Sequence, residues 1–196
     1  MSSRIRFASA RNVFEAFPDL ARVVAPPADD PAPLDYGRVL LASPSPAGAI
    51  VFIAYLLPRR EAVWWAIQCV RAMLEGNADD EALRAADAWV RAPEEGARRA
   101  ALAACAGRDQ KAPTTWLAFA AGWSGGSVTA PDQDPMPAPP AACAQGTHTA
   151  IMLAASAGDP LGVMQRLWAC AEAGLRFAAG GGAEVQAPAR TAPRVG

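Results

Sequence analysis

Apolar residues in this chain recur at spacings of three and four, and no segment alternates apolar and polar residues convincingly as a strand would. From Pro58 onward, the 100° step of a helix gathers Arg60, Glu61, Gln68, Arg71 and Glu75 on one side. Trp65, Ala66, Cys69 and Met73 fall opposite, flanked by Val63, Ile67, Val70 and Leu74. Trp65 is therefore expected in the core, whereas Trp64 projects from the middle of the polar face. Leu83, Ala86, Trp89 and Val90 form a second apolar stripe. Met164, Leu167, Trp168, Ala171 and Leu175 form a third and read as core. Gly and Pro punctuate these patterns, so helices are predicted over 12–17, 34–42, 47–57, 58–75, 80–91, 94–106, 113–123, 147–157 and 160–179. Ser43, Pro44, Ser45 and Pro46 supply the cap and first turn of the third, Gly76 a left-handed stop, and Asp79 or Asp80 the next cap.

The expected architecture is all-α: a single-domain bundle or short stack of antiparallel helical hairpins, about seven to nine helices with no sheet. Residues 1–10 read as a flexible start, 11–180 as the helical domain and 181–196 as a disordered tail. Residues 124–145, rich in Pro and Gly, read as a long loop. The many alanines should allow close helix approach.

Composition narrows the function classes. The 196 residues carry 18 Lys+Arg against 19 Asp+Glu, a net charge of -1, which argues against a nucleic-acid surface. A 52% hydrophobic content and mean hydropathy of +0.09 describe a globular chain. The most apolar window, 47–57, is short of the ~20 residues that span a bilayer. No signal-peptide core follows the first residues, so a cytoplasmic location is expected. Lys111 is the only lysine, and this arginine bias with the alanine load is that of a GC-rich bacterial genome. Cys69, Cys105, Cys143 and Cys170 are scattered and read as free, buried, hydrophobic residues.

Several catalytic patterns occur without their usual setting. Gly122-Trp123-Ser124-Gly125-Gly126 fits the G-x-S-x-G elbow of α/β-hydrolases, and Asp132 or Asp134, then His148, follow in the right order. That elbow needs a strand before the serine, whereas the pattern here predicts a helix ending in a glycine turn, with Gly125 or Gly126 at positive φ. Cys143 and His148 are near in sequence, but no C-x-x-C or H-x-x-x-H completes a zinc set, and His148 is expected to meet a loop carbonyl. Gly180-Gly181-Gly182 lacks the lysine and helix of a phosphate loop. Asp29-Asp30, Asp79-Asp80 and Glu94-Glu95 sit where helix N-termini favour anions. Neither metal nor cofactor is expected. Arg59-Arg60-Glu61 can form an exposed Arg–Glu pair, reach another helix as an ion pair, or meet an acidic partner. Trp64 is either covered by the Pro-rich segment 131–140 or faces a partner.

The block Leu57-Pro58-Arg59-Arg60-Glu61-Ala62-Val63-Trp64-Trp65-Ala66, then Ala85-Ala86-Asp87-Ala88-Trp89-Val90, Thr115-Trp116-Leu117-Ala118 and Trp123-Ser124-Gly125-Gly126-Ser127, resembles an uncharacterised bacterial family. It is an all-α domain of unknown function associated with type VI secretion gene neighbourhoods. The resemblance spans residues 13–177 and implies accessory, adaptor or chaperone-like work near secreted effectors, with no catalytic residue. The resulting expectation is a cytoplasmic, non-enzymatic interaction protein whose partner is another protein, such as a secretion component or effector. Arg59, Arg60, Trp64, Trp123 and Ser124 are the candidate binding residues. The rivals are a small hydrolase using Ser124 and His148, and a structural subunit that buries Trp64 in a homo-oligomer.

Overall fold

The computed structural model describes residues 3–74 and 80–186, and within these it is all-α. The helices are α1 (Ala10–Ala16), α2 (Pro33–Leu41), α3 (Ala47–Leu56), α4 (Arg59–Met73), α5 (Glu81–Arg91), α6 (Glu95–Ala103), α7 (Pro113–Gly122), α8 (Ala142–Ser156) and α9 (Val163–Ala178). Single 3-10 turns cover Pro18–Arg22 and Pro160–Gly162. Among the described residues there is no strand, only an isolated bridge between Ser127 and Pro137.

Helix α4 is the organising element. It packs against α5, α7, α8 and α9, so most of its circumference is covered. Trp65 is fully buried, and its indole N–H donates to the Cys170 carbonyl of α9 at 3.0 Å. Helix α3 is apolar all round and buries Ile50, Phe52, Ile53 and Leu56 completely. Neither it nor any other helix among the described residues is long and apolar enough to cross a membrane. The α5 stripe of Leu83, Ala86, Trp89 and Val90 is buried, and Asp80 caps that helix by accepting from the Ala82 and Leu83 amides.

The structure corrects several expectations. Helix α8 starts at Ala142, five residues before the predicted 147, so the last residues read as loop are helical and Gly146 is a packing residue inside the helix. A Cβ there would lie 3.0 Å from Ala120 of α7, so glycine lets the two helices meet. On α9, Leu167, Ala171 and Leu175 are buried as expected, but Met164 is 46% and Trp168 47% exposed. The buried arc of this helix centres on Cys170, Ala171, Gly174 and Ala178, and Trp168 lies just outside it. Leu161, in the preceding 3-10 turn, is 93% exposed and continues their ridge. Ser43 does not cap α3: Pro46 holds that position, and the Ser43 hydroxyl donates to the Leu40 and Ser45 carbonyls.

The chain start is also more ordered by contact than a flexible arm. The Arg4 amide donates to the Ala178 carbonyl at 3.0 Å, and Arg4 Nη1 donates to the carbonyls of Phe177 (2.6 Å) and Gly181 (2.9 Å). Carbonyls at and just past the end of α9, where intrahelical partners run out, are what this arginine meets. Ala183 is buried and Val185 packs against the core, so the segment just past 181 is docked. Glu75, Gly76, Asp79 and the tail 187–196 lie outside the described residues.

Candidate functional site

Two arginine-rich regions meet at the start of α4. The first surrounds the loop after α7. Arg98, on α6, is buried, and its guanidinium pairs with Glu95 through Nε–Oε2 and Nη2–Oε1 contacts of 2.6 Å each. The same guanidinium donates to the Gly122 carbonyl at 2.7 Å and to the Ser127 carbonyl at 3.0 Å. Arg99 bonds Glu95 at 2.9 Å and the Thr129 carbonyl. Arg59, the first residue of α4, donates to the Ser124 carbonyl at 2.7 Å. Three arginines from two helices therefore hold four carbonyls, those of Gly122 at the end of α7 and of Ser124, Ser127 and Thr129 in the loop after it. Bonds from Arg98 and Arg99 pull the Glu95 carboxyl down to about 2, well below its ordinary value. Gly126 has φ of 61°, and a Cβ there would come within 3.0 Å of the Arg98 guanidinium. The turn thus needs glycine for both backbone and space.

Beyond this turn the Pro-rich segment folds back on itself. The Val128 amide donates to the Met136 carbonyl at 2.8 Å, and the Ala138 amide to Gly126 at 3.0 Å. Trp123 stacks on Phe119 with centroids 4.5 Å apart and meets Trp116 edge-on at 6.2 Å. Its surroundings are α7, not α4.

The second region is an open cleft of about 320 Å³ lined by Arg4, Arg60, Glu61, Trp64, Val90, Arg91 and Phe177. Arg60 Nε donates to the Val90 carbonyl at 2.6 Å, near the end of α5. Arg4 lies over the Phe177 ring, 4.1 Å from its centroid. Arg91 is taken by Asp87 at 2.9 Å. Among the described residues no carboxylate pairs with Arg4 or Arg60. Trp64 is half-buried against the core and offers its remaining surface here. No residue of 131–140 lines the cleft, so the Pro-rich segment is not its cover on this side. One turn beyond Trp64, Gln68 keeps a buried amide nitrogen without a partner among the described residues.

The five candidate binding residues therefore divide. Arg60 and Trp64 share the cleft, Arg59 and Ser124 are joined to each other, and Trp123 belongs to the aromatic group on α7. Adjacent Arg59 and Arg60 diverge, and both reach backbone carbonyls where an Arg–Glu pair or a helix-to-helix ion pair was expected. The Glu95 clamp and the Arg4–Phe177 wall were not foreseen. Glu95, Arg98 and Arg99 do stand at helical ion-pair spacing in the sequence. Their carbonyl partners, 24 to 30 residues away, have no such signal.

Ser124 follows the last turn of helix α7, and its amide donates to the Ala121 carbonyl at 3.2 Å. No hydrogen bond joins it to His148 among the described residues. The His148 ring stacks on Tyr55 at 6.4 Å, and burial lowers its imidazole to about 4. All four cysteines are free and buried; burial pushes the thiols of Cys105 and Cys143 up to about 12 and that of Cys69 well up. No three metal-ligating side chains come together among the described residues.

These features define an all-α protein whose loop is locked by arginines, Arg98 among them buried, beside a basic, aromatic cleft. The family model of unknown function DUF6931 matches residues 36–178, and the chain belongs to that family. No curated protein and no solved structure matches it.

Proposed function

We propose that this chain is a non-enzymatic, cytoplasmic interaction protein that holds another protein through the Arg60–Trp64 cleft. The observation that carries this reading is a pair of arginines, Arg4 and Arg60, anchored by backbone carbonyls beside a half-buried indole. Such residues are typical anchors of protein interfaces. The helix before Ser124 supports the absence of hydrolase chemistry, since an elbow draws its geometry from a strand. The resemblance of the P-R-R-E-A-V-W-W and W-S-G-G-S blocks favours adaptor, accessory or chaperone-like work in bacterial type VI secretion.

Affinity capture from the native host tests this. Wild type should retain a partner that folded Arg60→Glu and Trp64→Ala variants lose, while Arg59→Glu retains it because Arg59 faces the loop. Folded cleft variants that retrieve the same partners would overturn the reading. The exposed ridge of Leu161, Met164 and Trp168 favours self-association as a second reading. Sedimentation should then show a dimer that Trp168→Glu dissociates.

A further inference from the structure

We infer that the cleft recognises an acidic peptide segment of its partner, with an Asp or Glu two positions from a large apolar residue in extended conformation. This rests on the interaction reading above and names the partner's chemistry. The whole chain carries a net charge of -1, yet the cleft gathers Arg4, Arg60 and Arg91 against the single Glu61. Arg91 is committed to Asp87, whereas Arg4 and Arg60 hydrogen-bond only carbonyls. A carbonyl orients a guanidinium without neutralising it, so both remain cations with further donors to give. Arg60 uses Nε on Val90, which leaves its terminal nitrogens for a carboxylate.

Spacing selects the second residue. Arg60 and Trp64 are four positions apart on α4, just over one turn and about 6 Å along its axis. In an extended chain, residues two apart point the same way and are separated by about 6.6 Å. A carboxylate on Arg60 therefore places the side chain two positions on against Trp64. The indole is the available aromatic face, since Arg4 already covers Phe177. Glu61 disfavours a phosphate dianion, which meets more repulsion there than a carboxylate does. It can also accept an N–H from the bound backbone. A volume of about 320 Å³, open to solvent, suits two or three residues of such a segment.

The test is fluorescence anisotropy with the full chain and a fluorescein-labelled peptide of repeated Glu-Ser-Leu units. Saturable binding is expected, weakened about tenfold or more when Gln replaces Glu or Ser replaces Leu in the peptide. Arg60→Gln and Trp64→Ala should each weaken it by a similar factor, and Arg60→Lys by less, because lysine keeps the charge but not the fork. Rising salt should also weaken it. Thermal melts confirm that each variant is folded, and Arg59→Gln should bind like wild type. Equal binding of the Gln peptide, no saturation up to about 1 mM, or unchanged binding by a folded Arg60→Gln would overturn the inference. Displacement by acetate or inorganic phosphate as effectively as by unlabelled peptide would also overturn it and assign the cleft to a small anion. Loss of the host partner from Trp64→Ala without any acidic-peptide binding would leave the interaction reading standing and remove this one alone.

Discussion

The loop clamp and the cleft use the same side chain to opposite ends. Around the loop, Arg98 divides its donors among Glu95, Gly122 and Ser127 and is buried. In the cleft, Arg60 spends one bond on Val90 and meets no carboxylate among the described residues. A saturated guanidinium fixes a conformation; one with spare donors can bind something else. The W-S-G-G-S block, the most motif-like part of the sequence, therefore belongs to architecture. The plainer Arg60 and Trp64 carry the stronger case for recognition.

Helix α4 serves both regions, so the sharpest contrast lies between its two adjacent tryptophans. Trp65→Ala should cost about 3–5 kcal/mol, as it empties a fully buried site and removes the hydrogen bond to Cys170. Trp64→Ala should cost only about 1 kcal/mol, because part of the indole already faces solvent. Urea unfolding of both variants measures the difference. Equal losses would make Trp64 a core residue and dissolve the distinction between wall and cleft.

The clamp comes next in size. Arg98→Met should cost about 3 kcal/mol, since it strands the Gly122 and Ser127 carbonyls, whereas the exposed Glu95 keeps Arg99 as its partner. Gly126→Ala should cost about 2 kcal/mol through left-handed strain and the approach of Arg98. Peptide binding in the cleft should survive Gly126→Ala. If binding falls with it, the two regions are coupled and not merely neighbours.

How legible all this was depended on range. The helices announced themselves through local spacing and caps, as with Leu83, Ala86, Trp89 and Val90 under Asp80. Trp65 was assignable to the core from the face of one helix. Trp168 was not, because a helical stripe says which residues are aligned but not how far the neighbouring elements extend over them. The start of α8 was missed for a related reason: the Pro-rich loop was read through to 145, and nothing local shows that Gly146 lies inside a helix, packed on Ala120. The candidate site was half visible. Arg60 and Trp64 share a face by local geometry, but Arg4 and Phe177 reach it through contacts 173 residues apart in sequence.

Acid should separate the regions further. His148 is the only histidine, and its folded value of about 4 lies below the ordinary 6.5. The unfolded chain then binds the proton more readily, so stability is complete above about pH 6.5 and falls towards pH 4. Glu95, held near 2, adds a loss from about pH 4.5 downward as the clamp's carboxylate protonates. Denaturation midpoints across pH 3–7 should show both slopes, and His148→Gln should remove the upper one alone. Any loss of peptide binding by the folded chain near pH 4–5 should follow the peptide's own carboxylates, which must be ionised to pair with a guanidinium.

The smallest expected effect is the most discriminating for chemistry. Ser124 is held through its main chain: its amide donates to Ala121 and its carbonyl accepts from Arg59. Neither bond uses the hydroxyl, so Ser124→Ala should change stability by no more than about 0.5 kcal/mol. It should leave the clamp intact, because alanine keeps both backbone groups. Peptide binding should be unchanged as well, since Ser124 lies on the loop side of Arg59 and outside the lining of the cleft. A fluorophosphonate probe supplies the opposing outcome. Labelling that Ser124→Ala abolishes would mean the hydroxyl is activated despite the helix before it. The loop clamp would then be the support of a nucleophile, and the division between a locked loop and a binding cleft would have to be redrawn.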